Sequence, residues 1–178
     1  MRIGIDISQI AYEGTGVGEY LKNLVRELIK LDKKNQYILF FSSLRRNFQF
    51  SIFNFQLNTK KVKIKTFRFP PIFLDFLWNK LHIVPIEWFI GHVDVFISSD
   101  WTQPPAIKAK KATILYDLIV YKYPQETDSK IVSTQKRKLK WVKKECDIIF
   151  CISEATKMDA IDILGVDEER LRVIRTGI

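Results

Sequence analysis

The sequence predicts an α/β domain of three layers, a mostly parallel sheet of about seven strands with helices on both faces. Two observations carry this. Short runs rich in β-branched and aromatic residues alternate with segments of helical period along nearly the whole chain. The run at 37–41 is apolar at every position, as in a strand covered on both faces.

In chain order, residues 2–7 (RIGIDI) form a first strand, followed by a glycine-containing loop over 8–16. A helix follows, because Val17, Tyr20, Leu21, Leu24, Val25, Leu28 and Ile29 fall at helical spacing. Lys22, Asn23, Arg26, Glu27 and Lys30 take its other face. With the strand at 37–41 this makes a βαβ unit, whose crossover is right-handed. Residues 45–59 show no clean period and read as a loop or a poorly defined helix. Residues 62–67 set Val62, Ile64 and Thr66 against Lys61, Lys63 and Lys65, a half-exposed strand ended by Phe69-Pro70-Pro71. Two short helices are expected at 73–81 and 85–90, with Pro85 near the first turn of the second. Strands are expected at 93–97, 111–115, 147–152 and 171–174, with a long helix over 128–145. Ser153 is placed to cap a helix over 154–164 that stops at Gly165.

The 178 residues suffice for one domain with a sizeable core. A net charge of +9 favours polyanionic partners: nucleic acid, an anionic membrane surface or phosphate-bearing substrates. Aromatic residues are 13% of the chain and concentrate between Phe48 and Trp101; beside a basic surface they suit a membrane interface. The run Lys136-Arg137-Lys138-Leu139-Lys140-Trp141-Val142-Lys143-Lys144 reads as a solvated helix face or as membrane-surface attachment. Nucleic acid is the weakest reading, since no helix-turn-helix, zinc-ligand set or RNA-binding aromatic signature accompanies it. No stretch reaches the roughly 18 apolar residues of a membrane span. The longest, at 83–98, is broken by Pro85, Glu87, His92 and Asp94. With no leader pattern behind Met1, a cytoplasmic chain is expected, peripheral to the inner face of a membrane at most. Cys146 and Cys151 flank a strand-like run, so they point to opposite faces roughly 16 Å apart, too far for a disulfide. They read as core residues in a reducing compartment.

In open α/β sheets ligands sit beyond the carboxyl ends of the strands, which directs attention to four loops. The first is Glu13-Gly14-Thr15-Gly16-Val17-Gly18, whose glycines admit a ligand to the amino end of a helix. A dinucleotide fingerprint needs glycine where Glu19 stands, and no Gly-Lys precedes a Ser or Thr as a phosphate-binding NTPase loop requires. It is an anion-friendly loop, or a plain tight turn. The second, 98–105, offers Trp101 beside Asp100, a pairing that suits a sugar or polyprenyl-phosphate-like acceptor; a bland surface loop fits equally. The third holds the polar pair Tyr116-Asp117 at a strand end, with a turn role for Asp117 as the alternative. The fourth is Ser153-Glu154, which helix capping alone can explain. His82 and His92 lack partners at ligand spacing, so no metal is expected, and nothing calls for a cofactor. No GxSxG elbow supports a hydrolase.

These loops, with RIGIDI, GTGVGEYLKNLVRELIKLD, WNKLHIVPIEWFIGHVDVFISS, ATILYDLIVYKYPQ, DIIFCISEATKMDAI and RLRVIRTGI, resemble the N-terminal domain of the retaining glycosyltransferases of family 4. The resemblance spans nearly the whole chain. It implies one half of a GT-B fold, two Rossmann-like domains facing across a cleft. Residues 1–174 would be the acceptor-side domain, and 175–178 the start of a linker to a donor-binding domain. It implies sugar transfer from a nucleotide-sugar to a glycan or lipid-linked acceptor, with retention and no obligatory metal, this half being inactive alone. Gly14, Thr15, Gly16 and Val17 would face the donor phosphates, their amides helping to neutralise the leaving diphosphate. Tyr116 and Asp117 would occupy the catalytic position, and Trp101, Ser153 and Glu154 the acceptor side. Relatives usually carry His-Asp where this chain has Tyr116-Asp117. Tyrosine can hydrogen-bond a sugar or phosphate but is a poor proton acceptor at neutral pH. The alternative is a non-catalytic binding or scaffold domain, a degenerate or split partner at an anionic membrane.

Overall fold

The computed structural model describes residues 1–12, 14–45 and 61–175. The expectation for 45–59 therefore lies, beyond Arg45, outside the described residues. Among the described residues seven strands form one sheet in the order β3-β2-β1-β4-β5-β6-β7, and every pairing is parallel. They are β1 (Arg2–Asp6), β2 (Gln36–Ser42), β3 (Val62–Phe67), β4 (Val95–Ser98), β5 (Lys110–Leu115), β6 (Ile148–Cys151) and β7 (Leu171–Val173). The order reverses between β1 and β4. Loops leaving these two strands diverge there and open a crevice.

Helix α1 (Gly16–Leu31) covers one face, burying Leu21 and Val25 against Ile5, Ile7, Leu39 and Phe41. The opposite face carries α2 (Pro71–Leu74), α3 (Glu87–Ile90), α5 (Ser129–Glu145) and α6 (Glu154–Asp162), with the short α4 (Ile119–Lys122) against α5. Strand alternation sends Ile3, Ile5 and Ile7 toward α1 and Gly4 the other way. A Cβ at Gly4 would come within 2.8 Å of the Ile90 and Phe96 side chains, so any larger residue here would force them to shift.

Helix α2 begins earlier than the expected 73–81. Pro71 takes the first helical position, where its missing N–H costs nothing, and the chain then widens into a π-helical stretch over Asp75–Lys80. The expected 85–90 helix is only the one-turn α3, closed by Gly91 at φ 80°. Asp128 and Ser153 cap α5 and α6, accepting the amides of Lys130 and Ile131 and of Thr156. Gly165, at φ 61°, ends the segment after α6 through Gly165 N–H to Ile161 and Val166 N–H to Ala160.

Both cysteines are free and buried, but Cys146 is the residue after α5 rather than part of a strand. The two consequently share one core cluster instead of facing apart. Burial pushes their thiols up, to about 12 for Cys146 and about 11 for Cys151. Among the described residues, no helix is long and apolar enough to cross a membrane.

Candidate functional site

At the carboxyl ends of β1, β4 and β5 lies a cavity of about 260 Å³. Val17 of α1, the loop residues Asp100 and Trp101, the pair Tyr116-Asp117, and Gln135 and Lys138 of α5 line it. That is small beside a pocket for a drug-sized ligand and suits a single ring.

The Tyr116 hydroxyl is buried and has no hydrogen-bond partner among the described residues. Its ring meets Tyr20 edge-on at 5.6 Å. Burial, then the neighbouring Asp100 carboxylate, pushes its ionisation well above the ordinary phenol range, so it holds its proton. It can donate or accept a hydrogen bond but cannot serve as a base. Asp117 is exposed, and its Oδ1 accepts the Ile119 amide at 3.0 Å, which is the turn role expected as the alternative.

Beneath the cavity the sheet end is charged. Asp6 is 5% exposed, and its carboxylate accepts both the Ser8 amide, at 2.9 Å, and the Ser8 hydroxyl, at 2.6 Å. Lys138 is 1% exposed, within electrostatic reach of Asp100 and Asp6. Burial raises both carboxyls and lowers the ammonium, and the opposite charges restrain each shift. The one buried ammonium can offset only one of the two carboxylates, so acid outnumbers base in this cluster.

The loop after β4 is anchored from below. Asn79, at 3% exposure, donates to Asp75 at 2.9 Å and to the Trp101 carbonyl at 2.8 Å, and accepts the Gln103 amide at 2.9 Å. Gln103 Oε1 lies 2.6 Å from the Ser98 hydroxyl, and Gln135 donates to the Asp100 carbonyl at 3.1 Å. Trp101 is thus held on a fixed backbone rather than a bland loop.

At the first loop, Thr15 caps α1 by accepting the Gly18 amide at 3.2 Å, while its hydroxyl donates to the Tyr12 carbonyl at 2.8 Å. Gly14 stands at φ 79°, and a Cβ on Gly16 would meet nothing within 4 Å. The space before the helix is open. Val17 reaches the cavity; Ser153 and Glu154 do not line it. Ser153 is engaged by Thr156, whose hydroxyl donates to the Tyr116 carbonyl at 3.1 Å, so it braces the site from behind. Glu154 is exposed, 3.9 Å from Arg175, beside a separate depression near β7.

The structure therefore brings together Val17, Trp101, Tyr116 and Asp117. Reasoning from the sequence missed Asp6, Asn79 and Lys138. Position could have found Lys138, which lies beside Leu139 and one helical turn from Val142 on the inward face of α5.

The fold is a Rossmann-like α/β domain with a crevice at the point where the strand order reverses. The chain belongs to Glycosyltransferase Family 4, whose model matches residues 14–178. Among solved structures it is similar to Anabaena Alr3699/HepE in complex with UDP, at 10% identity and a TM-score of 0.52. That match covers 99% of this chain and 44% of that one, so the chain spans less than half the length of its structural relative. No curated protein matches it.

Proposed function

We propose that this chain is the acceptor-side half of a retaining glycosyltransferase, and that the cavity at the β1/β4 switch point receives a sugar ring of a glycan or lipid-linked acceptor. The supporting observation is the wall itself. Trp101, on an anchored loop, lines the same cavity as Tyr116, whose buried hydroxyl has no partner among the described residues. A sugar presents apolar C–H faces to an aromatic ring and hydroxyls to such a group. The donor would be a nucleotide-sugar, consistent with the UDP in the structural relative. Its phosphates would approach the open amino end of α1 around Gly14, Thr15, Gly16 and Val17. Residues 175–178 would begin the linker to the donor-binding half, without which this half transfers nothing. Ser153 acts indirectly in this reading, through Thr156 and the Tyr116 backbone, whereas Glu154 borders the separate depression near β7.

Saturation-transfer NMR of the chain with a panel of hexosides, mannosides included, tests the cavity. Binding is expected for at least one hexoside, lost in Trp101→Ala and kept in Glu154→Ala. A panel without binders, or binding indifferent to Trp101, defeats the assignment.

One observation favours a second reading, a non-catalytic binding partner. Tyr116 stands where family relatives usually carry histidine, and burial holds its proton. Sugar binding without transfer, once the donor-binding half is supplied, would select that reading.

A further inference from the structure

We propose that the outer surface of the α2–α3 layer, with the lysines of β3, docks on an anionic lipid bilayer. Ile72, Phe73, Phe76, Leu81, Ile83 and Trp88 are all exposed, Ile72 at 78% and Trp88 at 72%. Single exposed apolar residues are ordinary, whereas a run of this density along one stretch marks an interaction surface. Ring contacts tie the stretch to the sheet edge: Phe73 packs on Phe69, and Phe69 on Phe67 and Phe89, the neighbour of Trp88. Ile90 and Gly91 then share a groove with Lys63 and Lys65.

Charge selects the occupant. Asp75 pairs with Arg137 at 2.5 Å. Glu87 spends its Oε1 on the amides of Ile107, Lys108 and Ala109. Both acids of the stretch are thereby turned inward. The cations stay outside: Lys63 and Lys65 are exposed, and Lys80 stands 5.7 Å from the Phe76 ring centre. Asp94, beside the groove, already accepts the Arg2 amide and lies 3.4 Å from His92. Apolar side chains flanked by lysines, on a chain of net charge +9, match a bilayer whose headgroups are anionic. In the sequence, the aromatics between Phe48 and Trp101 suit a membrane interface, and the basic run at 136–144 is either a solvated face or a second candidate for attachment. There Lys138 is buried, Arg137 is paired, and Lys136, Lys140 and Lys144 lie against Tyr121 and Trp141. This surface lies outside the sugar cavity and stands whether or not the chain takes part in transfer.

Co-sedimentation of the chain with phosphatidylcholine vesicles, with and without about one-third phosphatidylglycerol, tests it. Partition is expected to be at least ~10-fold stronger onto the anionic vesicles and to fall with added salt. Ile72→Ser/Phe76→Ser/Trp88→Ser should lose most of the binding while keeping the wild-type thermal midpoint. Lys63→Ser/Lys65→Ser should weaken it by roughly 5-fold per lysine. Lys140→Ser/Lys143→Ser should change it little. Equal binding to both vesicles, or loss only in the α5 variant, overturns the proposal. So does a wild-type chain that ignores vesicles but self-associates in sedimentation velocity until the apolar triple variant dissolves it, since the patch would then be a protein interface.

Discussion

Gly16 and Gly18, two positions apart, answer to different constraints. A Cβ at Gly18 would sit 2.9 Å from Thr15 Oγ1, 3.0 Å from the Tyr12 carbonyl and 3.1 Å from the Gln9 carbonyl. Gly18→Ala should therefore destabilise the fold by about 1–3 kcal/mol, read by chemical denaturation. Gly16 faces open space, so Gly16→Leu should leave stability unchanged yet fill the approach to the α1 amides. In the enzyme carrying both halves we expect that variant to lower transfer by ~100-fold. Unchanged turnover would remove Gly16 from the donor-phosphate site. Trp101 and Tyr116, which line the cavity, can be picked out in the sequence because strand-end loops are recognisable by their order, whereas Gly14 and Gly16 do not line it. Asp6 and Lys138 were not weighed, because a charge at a strand end or within a basic run looks solvated until burial is known.

At the scale of elements, helices with a clear stripe and a side-chain cap were the most legible. Helix α5 starts one residue after Asp128, as its cap chemistry implies, and Asp128 Oδ1 accepts the Lys130 amide at 2.8 Å. Asp128→Ala should cost about 1 kcal/mol, measurable as a lowered denaturation midpoint, whereas Asp128→Asn should cost less. The aromatic region before β4 was less legible. Its helix is short and partly π, and Trp78, Leu74 and Ile86 are fixed by the sheet beneath rather than by a local period. Composition there signals burial without saying which side chains go in. Ile72 and Trp88 look no different in sequence from Leu74 and Trp78, yet the first pair is exposed and the second buried.

Across the whole molecule, the end of the sheet opposite the cavity is tied by charge. Glu145, closing α5, takes Lys111 of β5 through one oxygen. Its other oxygen lies 2.9 Å from His82 Nε2, off the line of a good hydrogen bond. The His82 ring stacks on Trp141 at 3.6 Å, so a turn carrying positive φ at His82 and Val84 is held against α5. Burial alone would raise the Glu145 carboxyl, but the His82 and Lys111 contacts outweigh it and hold the group below the usual carboxylate range. A carboxyl depressed in the fold stabilises it above the unfolded pKa, and that contribution disappears as pH falls through the folded one. Glu145→Gln should cost about 1–3 kcal/mol at neutral pH, and the gap from wild type should close below the ordinary glutamate range near pH 4. A gap constant from pH 7 to pH 3 would show that the tie contributes no charge-dependent stability. The three layers and parallel order were legible from the alternation of segments, whereas this tie joins residues 34 and more apart and has no local signature.

The strand order also sets a timetable for synthesis. β1 leaves the ribosome before the other strands described, yet it belongs inside the sheet, bonded to β2 on one side and β4 on the other. β2 is made soon after; β4 begins only at Val95. At common translation speeds one flank of β1 waits roughly 5–20 s for its partner. A nascent chain stalled before Val95 carries half a sheet with one raw inner border, and that border, rather than any outer strand of the finished protein, is where stray pairing would begin.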